Sequence, residues 1–400
     1  VSTIGQRQLF LDYVAQVSDA PLMLEVERAE GVYLYGPDGK RIIDLISGIS
    51  VCNLGHSHPS VVSAVKAQTE KYMHLMVYGE LVQAPQVLLA QKLSELLPQG
   101  LDSVYFVNSG SEATEGSLKL AKRFTGRSKI VACKKAYHGS SHGALSVLGD
   151  EFFKQAYRPL LPDIHFVEFN NPEDLETIDN RTAAVLIEPV QGEAGVVIPS
   201  VAYMQALRKK CSDTGTLLIF DEVQTGFGRT GKLFGFENFG VVPDIINFAK
   251  GIGGGMPLGA FVSSKEIMST LSYNPALGHI TTFGGHPVSC AAGLAMLEVL
   301  QSQPELIDGA VKKGELIKKN LGGHPIVKNI WGIGLLLAVE FGSSELREKI
   351  MRRILNDGVM IDLFLFREDC LRIAPPLVIT EEEINEACNI IISVFNHFIK

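Results

Sequence analysis

Lys250 ends an apolar run, `DIINFAK` (244–250), and four glycines follow it within five residues. An ammonium loses hydration at the end of a buried strand, so the position needs a chemical reason. A partly desolvated lysine has a lowered pKa and can act as a nucleophilic amine. Such amines form Schiff bases with aldehydes. A second feature lies at `NSGSEA` (108–113), a glycine turn into a helix start. Free N–H groups and the helix dipole make that place suit an anion such as a phosphate, although ordinary helix capping accounts equally well for the motif alone. A third is Asp221, closing the run `LLIFD` (217–221). Lysine, phosphate cradle and acid together fit pyridoxal 5'-phosphate, which needs an acid beside its ring nitrogen so that the ring can accept electrons.

Other chemistries fit less well. A Walker loop places its lysine after the glycines, followed by Ser or Thr, and here the lysine comes first. A dinucleotide fingerprint should open a helix, whereas `GIGGGMPLG` (251–259) leads into the next strand. His56 and His58 lack a further ligand cluster, so no metal is expected, and the motif is read as shaping the site entrance. Ser140, Ser141 and His142 lack an orienting acid for a nucleophilic triad.

Positioning these groups requires strands whose ends meet. Strands are expected at 103–109, 129–134, 183–189, 216–222, 244–250 and 259–264. Several are apolar on both faces, as in a parallel sheet covered by helices. Ala113, Leu120, Ala121 and Phe124 recur at helical spacing, with Ser109 and Glu112 as a capping box. `VAYMQALRKKCSDTG` reads as a helix ending at Gly215. In an open α/β sheet ligands sit outside the carboxyl ends of the strands, where Asn108–Ser111, Tyr137–Gly139, Glu188, Asp221–Gln224 and Lys250 fall. After about residue 290 a long helix leads to `WGIGLLLAVEF`, a further helix, `LRIAPPLVI` and a last helix. That last helix opens on a capping box at Thr380 and Glu383, with Ile384, Cys388, Ile391, Phe395 and Phe398 on one face.

The chain has 400 residues, 46% of them apolar and 20% charged, with a formal net charge of −8. This fits a two-domain α/β protein and argues against a nucleic-acid surface. The six cysteines are scattered without a Cys-x-x-Cys pair, which suits reduced thiols and a cytoplasmic protein. `VSTIGQRQLFLDYVAQVSDA` lacks the pattern of a signal peptide, and no apolar run reaches membrane-spanning length.

The stretch `LIFDEVQTGFGRTG…PDIINFAKGIGGGMPLGA` resembles the signature of class III pyridoxal-phosphate-dependent aminotransferases, the family of ornithine, acetylornithine and 4-aminobutyrate aminotransferases. `GHSHP`, `NSGSEA`, `YHG`, `EPVQGEAGV`, `TTFGGHP` and `LRIAPPLVI` follow the family order, so the resemblance covers essentially the whole chain. It implies fold type I, aspartate-aminotransferase-like. A large, mostly parallel-sheet domain (51–290) would carry the cofactor, and a smaller α/β domain (291–400) would pack with the N-terminal segment (1–50). It also implies a homodimer with shared sites. By motif, Lys250 would hold the cofactor and move protons, and Asp221 would pair with the ring nitrogen. Gln224 would reach the ring hydroxyl, with Val223 and Tyr137 on the two ring faces. Gly110 and Ser111 would bind the phosphate, joined by Thr282 of the neighbouring subunit. His138 and Glu188 would support the cofactor. Arg372 would grip a substrate carboxylate and pair with Glu193 when none is bound.

Two positions depart from the family pattern. Ser140 stands where ornithine- and acetylornithine-type members commonly carry a carboxylate-binding arginine, and His286 stands where asparagine is usual. The second change is expected to be structural. The expected reaction is a ping-pong transfer from an amino acid or ω-amine donor to a 2-oxoacid. An aminomutase, racemase or decarboxylase would share the same cofactor machinery, and a non-catalytic pyridoxal-phosphate-binding protein is a further alternative.

Overall fold

The computed structural model describes residues 5–77 and 79–399. Its strands run β1 (Arg28–Glu30), β2 (Tyr33–Tyr35), β3 (Arg41–Asp44), β4 (Ser103–Val107), β5 (Lys129–Cys133), β6 (Ile164–Val167), β7 (Thr182–Ile187) and β8 (Leu217–Asp221). They continue with β9 (Ile245–Phe248), β10 (Gly259–Ser263), β11 (Asn329–Ile333), β12 (Leu336–Glu340), β13 (Val359–Met360), β14 (Asp362–Leu363) and β15 (Cys370–Ile373).

The central sheet has seven strands in the order β4-β10-β9-β8-β7-β5-β6. Only β10 runs against its neighbours. Its apolar runs are buried on both faces because each alternate residue enters a different core. Ile130, Ala132, Leu186, Ile219, Ile245 and Phe261 pack with Ala113, Leu120 and Ala121 of the helix Gly110–Thr125. Val131, Cys133, Val185, Ile187, Leu218, Phe220 and Ile246 face the other way, into the larger core. The helix lies close on the sheet at Gly116, where a Cβ would stand 2.2 Å from the Phe261 ring.

The strand β6, which sequence periodicity does not single out, forms the sheet edge. A second sheet joins distant parts of the chain, because β3 pairs in parallel with β13 in the order β1-β2-β3-β13. The third, β11-β12-β15-β14, makes `WGIGLLLAVEF` a hairpin turning at Gly334 rather than one strand. The final helix runs Glu381–Asn396 with the capping box in place: Thr380 Oγ1 accepts the Glu383 amide (3.1 Å) and Glu383 accepts the Thr380 amide (2.8 Å). Ile384, Cys388, Ile391 and Phe395 are buried on it, while Phe398 lies beyond its end.

At the start of Gly110–Thr125 the capping box is only half formed. Ser109 Oγ accepts the Glu112 amide (3.2 Å), but the Glu112 carboxylate reaches back to the Asn108 amide (2.7 Å) and side chain (2.8 Å). Asn108 is thereby fixed at the end of β4, and the helix start stays open.

Ser47–Ser50 is a left-handed turn, with φ of 47°, 60°, 66° and 61°. For three residues with a Cβ this conformation costs about 1–2 kcal/mol each. Buried hydrogen bonds hold it. Asp44 accepts the Ser47 amide (2.9 Å), Ser47 Oγ donates to the Ala374 carbonyl (2.8 Å), and Arg229 donates to Ser47 Oγ (3.1 Å). Arg229 has no solvent exposure, and its other acceptors are Asn53 Oδ1 (2.6 Å) and the carbonyls of Leu335 and Pro375. Burial pushes its pKa down to about 9. Among the described residues no helix is long and apolar enough to cross a membrane.

Candidate active site

The carboxyl ends of β4, β5, β7, β8 and β9 open on one cavity of about 460 Å³, within the roughly 300–1,000 Å³ usual for small-molecule sites. Gly110, Ser111, Tyr137, His138, Glu188, Glu193, Asp221, Val223, Gln224 and Lys250 all line it. Thr282, expected at the site of a neighbouring subunit, is exposed on the loop before the helix Pro287–Ser302, and Arg372 is buried behind Glu193.

The register explains the meeting of acid and amine. Asp221 closes β8 opposite Asn247 of β9, and Lys250 follows three residues later. Lys250 does not continue the strand as its sequence suggests. The strand stops at Phe248, and Lys250 begins a tight turn with φ of 49°. This left-handed conformation in a residue with a long side chain is a local cost of the kind found at functional sites. Burial lowers the Lys250 pKa, with Glu193 opposing the shift and Arg372 adding to it. More of the amine is therefore held in its neutral, nucleophilic form than in water.

Asp221 is fixed on two sides: Oδ2 pairs with His138 Nδ1 (2.7 Å) and Oδ1 accepts the Val223 amide (3.0 Å). Glu188 accepts the Tyr137 amide (3.1 Å) and the Gly192 amide (2.9 Å). Burial pushes its pKa up to about 7, although nearby His138 acts against the shift. Thus His138 and Glu188 act on other groups of the site, one orienting the acid and the other tying the Tyr137 loop to the turn after β7.

The helix start is equipped for an anion. Its first internal acceptors, Ser109 Oγ and Ser109 O, serve the amides of Glu112 and Ala113. Gly110 and Ser111 precede these and line the cavity, and the first N–H groups of a helix have no partner within it. Gly139 closes over this point with φ of 121°, and a Cβ there would meet Ser111 Oγ at 2.0 Å. The same hydroxyl accepts the Ser140 amide (2.9 Å). Gln224 Nε2 is buried in the cavity wall without a hydrogen-bond partner, a donor left for a ligand. A phosphate-bearing pyridine fits these groups. Its phosphate would meet the helix start, its ring nitrogen Asp221, its ring hydroxyl Gln224 and its aldehyde Lys250.

Beyond the cavity wall, Arg372 Nη1 donates to Glu193 Oε1 and Nη2 to Asp362 Oδ2 (2.6 Å). Burial works against the arginine's charge, and the two carboxylates overcome that and raise its pKa. Glu193 is held by the Leu365 amide (3.2 Å). No sequence motif points to Asp362, which meets Arg372 only because β14 lies antiparallel to β15.

The remaining candidates have local partners. His56 pairs with Asp44 (2.8 Å), and that bond, followed by one with Cys52, pushes its pKa up to about 10. Ser141 donates to Glu115 (2.7 Å), His142 pairs with the Pro159 carbonyl (2.9 Å), and the Ser140 hydroxyl lies 3.1 Å from that of Tyr137. His286 stacks on His74 with ring centroids 5.7 Å apart.

This arrangement is that of a transferase built around pyridoxal phosphate. A family model described as Aminotransferase class-III matches residues 13–395, and the chain belongs to that family. It is 40% identical to an acetylornithine aminotransferase of Archaeoglobus fulgidus over 92% of this chain and 94% of the relative. Its fold matches an (S)-enantioselective omega-transaminase from Thermomicrobium roseum with a TM-score of 0.91 and 30% identity, covering all of both chains. It also matches an ornithine aminotransferase from Toxoplasma gondii, described with pyridoxal phosphate at its active site. There the TM-score is 0.89 and the identity 28%, over 98% of this chain and 95% of that one. The protein is a pyridoxal-phosphate-dependent aminotransferase of fold type I.

Proposed function

We propose that Lys250 holds the cofactor and then serves as the base and acid of the transfer, moving one proton between the substrate carbon and the cofactor's C4′. The observation that carries this reading is the meeting of Lys250 and Asp221 in one cavity at an open helix start. Bound pyridoxal phosphate supplies an electron sink for the carbon that loses its proton. The protein's part is positional. Gly110 and Ser111 would hold the phosphate, and Asp221, oriented by His138, would keep the ring nitrogen protonated. Gln224 would donate to the ring hydroxyl, Val223 and Tyr137 would flank the ring, and Glu188 braces the Tyr137 loop. Burial lowers the Lys250 pKa, so more of the amine is free to take a proton than in an ordinary lysine.

The reaction is a two-stage exchange. An amino donor leaves its nitrogen and departs as an aldehyde or ketone, and a 2-oxoacid collects the nitrogen. Donors with a terminal amine, of the ornithine or acetylornithine kind, fit the names of the relatives, and 4-aminobutyrate carries the same terminal amine. Pyruvate or 2-oxoglutarate would be the acceptor, its carboxylate taken by Arg372 once Glu193 releases it. Thr282, exposed outside this cavity, would reach the phosphate of a second subunit in a homodimer. Exposed Leu9, Phe10, Leu11 and Phe283 supply apolar surface for such a contact. The cytoplasm suits its six free cysteines.

Borohydride reduction of the holoprotein followed by peptide mass spectrometry tests the central assignment. A phosphopyridoxyl adduct on Lys250 is expected, and its absence there, or its presence on another lysine, overturns the reading.

A further inference from the structure

We propose that Asp362 sets the substrate preference of the outer pocket by withholding half of Arg372 from incoming carboxylates. This rests on Arg372 being the carboxylate site. A guanidinium grips a carboxylate through two adjacent N–H donors. Here Nη1 is held by Glu193 and Nη2 by Asp362, while Nε is buried without a partner. When Glu193 swings away, Asp362 still accepts from Nη2, so the arriving carboxylate must share the guanidinium with a neighbouring negative charge. The cluster of one arginine and two carboxylates carries a net charge of −1. No arginine lines the adjoining cavity among the described residues, and its acidic groups are Glu188, Glu193 and Asp221. Ser140, where many relatives carry an arginine, adds no cation.

The two halves of the reaction are therefore treated unequally. A donor whose far end is uncharged or cationic leaves the cluster intact, and a cationic end is attracted to it. A 2-oxoacid must break the Glu193 pair and then bind against Asp362. Asp362 is thus a positioning residue that favours amine donors without a carboxylate at this end, of the 1,4-diaminobutane class, and weakens the capture of 2-oxoacids.

The test is Asp362→Asn, which keeps an oxygen acceptor for Nη2 and removes the charge. With 1,4-diaminobutane as donor, the ratio of kcat/KM for pyruvate to that for butanal, which lacks a carboxylate, is expected to rise about tenfold, the scale of one charge-assisted contact. Calorimetric titration of the holoprotein with succinate, which needs no turnover, is expected to show about tenfold tighter binding. Asp362→Glu, which keeps the charge, is expected to stay near wild type in both. A ratio and a succinate affinity that stay within twofold of wild type in Asp362→Asn overturn the proposal. Loss of all turnover in the wild type would count against the donor class, and the succinate comparison would still decide the role of Asp362.

Discussion

Replacing Glu188 with glutamine reverses its effect on stability between acidic and alkaline pH. Glu188 is 5% exposed, and its carboxyl is raised from 4.5 to about 7 by burial. For an acid whose folded pKa lies above the unfolded one, the folded state favours the protonated form. The penalty is absent below pH 4.5, grows between 4.5 and 7, and is complete above 7. A shift of about 2.5 units at 1.36 kcal/mol each is on the order of 3 kcal/mol. Glutamine cannot ionise, so it escapes this penalty. It offers one carbonyl oxygen where the two carboxyl oxygens, each an acceptor even when one is protonated, serve the Tyr137 and Gly192 amides, and losing one such bond costs about 1 kcal/mol at every pH. Glu188→Gln is therefore expected to be less stable than wild type by about 1 kcal/mol at pH 4.5, and more stable by about 2 kcal/mol at pH 8.5. The assay is urea unfolding at a series of pH values. The protein is first stripped of pyridoxal phosphate, so that the cofactor's own titration does not overlie that of the carboxyl. A stability difference that is flat with pH, or that turns against the variant as pH rises, refutes the reasoning.

Gly139→Ala forces a Cβ toward Ser111 Oγ at 2.0 Å and a side chain into φ of 121°. It should weaken pyridoxal-phosphate retention about tenfold or more, measured by equilibrium dialysis, while Gly323→Ala, with open space around it and φ of −81°, should leave retention unaltered. Arg229→Met leaves Ser47, Asn53 and two carbonyls without their buried donor. A loss of about 3 kcal/mol or more in urea unfolding is expected, and a change under 1 kcal/mol would show that the network stabilises little.

What the sequence discloses follows the range over which each interaction acts. The strands ending at Asp221 and before Lys250 are legible because burial on both faces demands consecutive apolar residues. The helix after Ser109 is legible because its start and its apolar stripe are local. The strand β6 escapes notice because `IHFV` offers four residues with a histidine among them. The Glu112 carboxylate bypasses the N-cap amide for Asn108, a choice that depends on how β4 delivers the chain. The left-handed turn at Ser47–Ser50 is invisible because its sequence, `SGIS`, contains one glycine, and its support comes from Ala374 and Arg229. Asp362 is hidden for the same reason: strand pairing, and not spacing along the chain, brings it to Arg372.

The pairing of β3 with β13 has a consequence for biosynthesis. Ile43 finds its partner in Val359, so a nascent chain carries an unsatisfied strand edge while the intervening segment is translated. At about 5–20 residues per second, that interval is roughly 16 to 60 seconds. Throughout it, the three earliest strands form only a meander with an open margin, a ready template for the same segment of a neighbouring polysome product. Slowed elongation anywhere between the two halves of this sheet would thus lengthen exposure to misassembly, and a chaperone acting on this enzyme would do most by shielding residues 33–44.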